Sequence, residues 1–127
     1  LRFMLNLVSI FFGGGIGALV RYLISLNMSK YLEINLPVAT FFVNIIGCFI
    51  IGFLYILFIE KIEFNSAVKL ALTVGFCGGL TTFSTFSLEL FEMVGNHQFF
   101  QAFTYVILSV TIGLLMTAIG AYCAKFI

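Results

Sequence analysis

The strongest constraint in this chain is how little of it is left over for loops. A bilayer core of about 30 Å is crossed by about 20 consecutive apolar residues in a helix. Four such runs can be drawn, at roughly 3–28, 36–59, 66–94 and 99–126. Together they take up most of the 127 residues. The residues are 62% hydrophobic and 9% charged, outside the usual range of a soluble domain. The expected fold class is therefore all-α, an integral membrane protein with four transmembrane helices in a single transmembrane domain over 1–127. A formal charge of +1 supplies no basic footprint, so no nucleic acid is expected as partner; the partner is the lipid bilayer. The first run does not read as a signal peptide. It is too long for an h-region and carries Gly13-Gly14-Gly15-Ile16-Gly17 through its middle.

The third run is the odd one. It contains Gly75-Phe76-Cys77-Gly78-Gly79-Leu80-Thr81-Thr82-Phe83-Ser84-Thr85-Phe86-Ser87. A glycine pair is followed by five hydroxyl residues within eight positions. Irregular backbone at membrane depth is tolerated only where protein or a water-filled cavity satisfies its polar groups. The glycine pair is a poor helix former, so helix three is expected to be broken near 78–82, lining an ion or solute path. A break frees carbonyls that suit a cation, and the N-terminus of the second half-helix suits an anion. Beyond it, Phe83 and Phe86 share a face, and Ser84 and Ser87 form a hydroxyl stripe beside them. Aromatic rings carry a positive edge that can meet an anion. Glu89, three residues after Phe86, is read as a vestibule carboxylate or a snorkelling group.

The other helices each present a small or polar face. Helix one has Gly13-xxx-Gly17 and Gly14-xxx-Ala18, spacing that lets membrane helices approach closely. Its Arg21 lies roughly 27 Å along the helix, to snorkel at the far interface or to attract anions in a vestibule. Helix two opens with Asn35 as cap and Pro37 in its first turn. Thr40, Asn44, Gly47, Cys48 and Gly52 follow on one face. The Asn44 amide must find partners, on a neighbouring helix or in a pore. Helix four sets Tyr105, Ser109, Gly113 and Thr117 at steps of four. Tyr105 can donate to an anion or to another helix. The three cysteines sit in three different runs, which is neither a disulfide framework nor a zinc pattern.

Four spans place both termini on one side. Arg2, Lys61, Lys69 and Lys125 fall there against Arg21 and Lys30 on the other, a small bias towards termini inside. Four short helices hardly surround a conduit and also bury their polar faces, so a dimer is expected.

The helix-three string, Asn44, and Gly17-Ala18-Leu19-Val20-Arg21-Tyr22 resemble the CrcB/Fluc fluoride channels over essentially the whole chain. The resemblance implies a fluoride-selective anion channel, not an enzyme, giving passive fluoride export across the bacterial cytoplasmic (inner) membrane. It implies a dual-topology antiparallel dimer with two pores. The dimer would be a homodimer, or a heterodimer with an oppositely inserted paralogue. By the same resemblance, Phe83, Phe86 and Asn44 belong to the fluoride pore, with Ser84, Thr85, Tyr105 and Ser109 beside them. Arg21 and Glu89 belong to the vestibule. Backbone carbonyls of Gly78 and Thr81 would hold a central structural sodium ion, and no organic cofactor is implied. Gly113 stands where relatives carry a hydroxyl, so no role is carried over to it.

The residues themselves fit passive conduction. A bare small anion in low dielectric costs on the order of tens of kcal/mol, so a passage must offer donors in place of water. A proton-coupled cation exchanger needs a membrane-buried carboxylate, and helix one has none. A purely structural subunit does not need the hydroxyl-rich stretch. An intramembrane hydrolase lacks a nucleophile–base pair.

Overall fold

The structure, a computed structural model, describes residues 1–31 and 37–127. Among them all regular structure is helical. Asn35, expected to cap the second helix, and the first residue of the run at 36–59 lie outside the described residues.

Four helical runs are long and apolar enough to cross a membrane: Arg2–Tyr31, Val38–Glu60, Ser66–Gly95 and Phe99–Ala124. The first is one helix, α1 (Arg2–Tyr31). The second is α2 (Val38–Ile56), ending in a π-helical turn at Leu57–Lys61. The third is composite. It begins as α3 (Ser66–Leu70), capped by Asn65, whose side chain accepts from the Val68 N–H at 2.9 Å. It continues as a π-helical segment, Ala71–Cys77, then α4 (Gly78–Leu80) and α5 (Phe83–Gly95). The fourth is α6 (Phe99–Ala124). A tight turn joins α5 to α6, with His97 at φ 61°, a left-handed conformation for which histidine is enriched.

In lipid, burying apolar side chains gives helices no reason to associate, so close backbone approach and hydrogen bonds do the work. Accordingly Phe3, Phe11, Phe91, Phe103 and Leu114 point outward, exposed on the protomer. The contacts between helices are made at small residues instead. α1 packs along the first half of the third span. A Cβ on Gly13 would strike the Ala71 carbonyl, one on Gly17 the Phe76 carbonyl, and one on Gly79 the Gly14 carbonyl. The Gly13-xxx-Gly17 pattern is thus one side of a seam whose other side is Gly75 and Gly79. α2 packs along α6 in the same manner. Gly52 lies against the Thr117 carbonyl and Gly120 against the Phe49 carbonyl. The first seam fixes the height at which α1 meets the third span, and Gly47 of α2, against the Thr81 methyl, sets where α2 meets its middle.

Candidate functional site

The helical backbone of the third span stops at Leu80 and restarts at Phe83. Between them Thr81 (φ −83°, ψ 158°) and Thr82 (φ −151°, ψ 117°) are extended, a conformation that suits β-branched side chains. The glycine pair is not where the helix gives way. Gly78 is helical (φ −64°, ψ −37°) and Gly79 lies inside α4. Gly79 is needed for its missing Cβ, against Gly14 of α1. The departure from helix comes two residues later, where an amide from α2 competes for the backbone.

That amide is Asn44. Its Oδ1 accepts the Thr82 N–H at 2.7 Å, and its Nδ2 donates to the Thr82 carbonyl at 3.2 Å. An asparagine side chain carries one acceptor face and one donor face, so it brackets Thr82 as a neighbouring backbone would. The Thr82 hydroxyl then caps α5, accepting the Thr85 N–H at 3.2 Å and donating to Thr85 Oγ1 at 3.0 Å. Ser84 Oγ lies 3.3 Å from the same hydroxyl.

Each of these bonds changes the fate of a carbonyl. In a continuous α-helix the carbonyl of residue i takes the N–H of residue i+4. The Gly78 carbonyl would take the Thr82 N–H, but that N–H goes to Asn44. The Thr81 carbonyl would take the Thr85 N–H, but that N–H goes to the Thr82 hydroxyl. The Gly79 carbonyl is claimed by Arg21, whose Nε donates to it at 3.0 Å. Gly78 and Thr81 are thus left with carbonyls stripped of their helical donors.

Asn44, Gly78, Thr81, Phe83, Phe86 and Ser109 line one cavity of about 450 Å³. No lining side chain among the described residues is ionised. The Phe83 and Phe86 ring centroids are 5.8 Å apart at 38°. Phe83 is 79% exposed on the protomer. Phe86 is partly buried, packed on Met93, Ala102 and Tyr105. The Ser109 hydroxyl is buried without a hydrogen-bond partner among the described residues. A buried hydroxyl left unsatisfied costs about 1–3 kcal/mol.

Glu89 and Tyr105 sit differently from a loose vestibule. The Tyr105 hydroxyl donates to one Glu89 oxygen at 2.8 Å and the Thr40 hydroxyl to the other at 2.6 Å. Thr40 and Tyr105 are buried, so the carboxylate is gripped between α2 and α6. Tyr105 also stacks at a tilt on Phe86, with centroids 4.9 Å apart. Arg21 is half-buried, drawn towards the third span by its bond to Gly79. Two residues here were placed by the sequence but given no role in the site. Thr82 could have been read as a threonine directly before a helix start, a preferred cap. Thr40, already placed one turn before Asn44 on the same face, proves to be a partner of Glu89.

Comparison with known proteins adds the family. The family model described as CrcB-like protein, Camphor Resistance (CrcB), matches residues 8–121. A protein of Phocaeicola vulgatus named fluoride-specific ion channel FluC is 41% identical over 122 residues, covering 96% of this chain and 100% of its own. A Gloeothece citriformis protein of the same name is 43% identical over 122 residues, with 96% and 98% covered. A Flavobacterium psychrophilum protein, again so named, is 44% identical over 117 residues, with 89% and 91% covered.

Proposed function

Because the chain belongs to the CrcB-like family, we propose that it is a fluoride channel, a multi-pass membrane protein that conducts the anion passively and is not an enzyme. The observation that carries this reading is the cavity between α2, the third span and α6. There an amide, two phenylalanine rings and a buried hydroxyl lie together, with no ionised side chain and no partner for that hydroxyl among the described residues. Such a lining replaces an anion's water by neutral donors and ring edges. It offers no fixed positive charge that would hold the ion too tightly to leave.

The path lies between this protomer and an oppositely inserted second copy, giving two pores per dimer in the bacterial inner membrane. In support, Gly78 and Phe83, which line the cavity, are exposed on the single chain, as is Ser84 next to Phe83 in sequence. Polar groups at that depth need protein cover. A second copy of the chain is the reading taken here; a paralogous partner would meet the same surface. Ser84 and Thr85 stand at the start of α5, where its N-terminus favours an anion.

A structural sodium ion would be held by the Gly78 and Thr81 carbonyls of each copy. These residues fit it: neutral carbonyl oxygens are the ligands sodium takes from unwound membrane helices, and both have lost their helical donors. When bound, the ion supplies a positive charge between the two copies. Export protects the cell because hydrogen fluoride crosses lipid uncharged and ionises in the less acid cytoplasm. The test is growth of a bacterial strain lacking its own fluoride exporter, on fluoride in mildly acid medium. This chain restores growth if the reading is right. Failure to do so by a membrane-inserted, dimeric protein would overturn it.

A further inference from the structure

We propose that Asn44 is a positioning residue for the cation site. Its side-chain oxygen captures the Thr82 N–H and so keeps the Gly78 carbonyl open, while Arg21 caps the Gly79 carbonyl and removes it from the ligand set. This rests on the sodium reading given under Proposed function and assigns what shapes that site.

Four carbonyls, those of Gly78, Gly79, Leu80 and Thr81, lose their helical donors where the helix stops at Leu80 and restarts at Phe83, and three of them are handled differently. The Gly79 carbonyl receives Arg21 Nε at 3.0 Å. A guanidinium is charged at any working pH, so that oxygen is both occupied and electrostatically closed to a cation. The Gly78 carbonyl is kept open by a competition. The Thr82 N–H has two acceptors within reach of the chain, the Gly78 oxygen one helical turn back and Asn44 Oδ1. The 2.7 Å bond to Asn44 lies at the short end of the N–H···O range. The second bond, from Nδ2 to the Thr82 carbonyl, makes the capture two-point. The Thr81 carbonyl is kept open from within the third span, by the Thr82 hydroxyl.

Asn44 therefore works on the cation without touching it. Without its oxygen, the Thr82 N–H turns back to the Gly78 carbonyl, the helix extends, and a ligand is lost. Asn44 has a second Nδ2 hydrogen, and the residue lines the cavity. One side chain thus serves both the cation ligands and the anion path, and the two roles separate by substitution. Asn44→Asp keeps an oxygen for the Thr82 N–H but sets a carboxylate beside the anion path. Asn44→Ala removes both.

The readout is the sodium-dependent part of the dimer's thermal stability, taken as the difference in melting temperature between sodium and N-methyl-D-glucamine media. A ligand that binds the folded form raises that difference. Wild type shows an upward shift in sodium. Asn44→Asp keeps the shift while losing fluoride flux, and Asn44→Ala loses the shift. A merely structural Asn44 would lower melting equally in both media and leave the difference intact. A full sodium shift in Asn44→Ala, or its loss in folded Asn44→Asp, overturns the proposal. If Asn44→Ala does not fold, Asn44→Ser takes its place, because its hydroxyl stops short of Thr82. No sodium shift in wild type would instead reject the sodium reading itself.

Discussion

Two neighbouring stretches of the third span are held by opposite means. Gly75 to Gly79 meets α1 through missing side chains, backbone against backbone. Thr82 meets α2 through two hydrogen bonds to the Asn44 side chain, while the Thr81 hydroxyl stays within its own span and donates to the Cys77 carbonyl. The first contact tolerates no added atom at Gly75 or Gly79. The second tolerates no lost polar group. In lipid both follow from one cause: burial of apolar surface gives no net drive, so shape and polar pairing carry the specificity. The glycine seam sets where the third span sits against α1, and the polar bracket sets which of its backbone groups stay open.

The adjacent glycines 78 and 79 give the sharpest way to break this contrast. Gly79→Leu drives a side chain into the Gly14 carbonyl. It should destabilise the protomer by at least about 3 kcal/mol, seen as loss of folded protein in detergent chromatography. Phe86→Ile should leave the dimer intact and slow fluoride efflux roughly tenfold, about 1.4 kcal/mol on the passage barrier. Unchanged flux would remove Phe86 from the path. Ser109→Ala should slow efflux by about fivefold, the worth of one hydrogen bond near 1 kcal/mol. Melting should hold or rise, since its hydroxyl has no partner among the described residues. Gly78→Ala should have the smallest effect on the fold. A Cβ there meets nothing within 4 Å, and helix propensity gains at most about 1 kcal/mol. Any loss should appear in dimer assembly alone. Equal damage from Ala at 78 and at 79 would remove close backbone approach as what holds the glycine stretch against α1.

Much of this was legible in the sequence because it is local. Apolar runs of bilayer length mark the spans, and glycines four apart mark a seam. The residues where the helix gives way were not legible. Propensity points to Gly78 and Gly79, yet both are helical. The interruption falls at Thr81 and Thr82 because Asn44 reaches across from α2, a contact 38 residues away in sequence. Glu89 is a similar case. Its position after Phe86 reads as a mouth or vestibule. Its surroundings are set by Thr40 and Tyr105 on two other helices, which no spacing within α5 encodes. Ser109 was legible as part of a polar stripe, but only packing shows that its hydroxyl is buried and unclaimed.

The most direct measurement is ion efflux from liposomes holding the purified dimer, loaded with fluoride or with chloride and read by ion-selective electrodes. The neutral cavity of Asn44, Phe83, Phe86 and Ser109 predicts rapid fluoride release that needs no proton gradient, and the likeness to proteins named fluoride-specific ion channels adds the expectation that chloride is retained. Release of both halides alike, or of neither by a folded dimer, would contradict it.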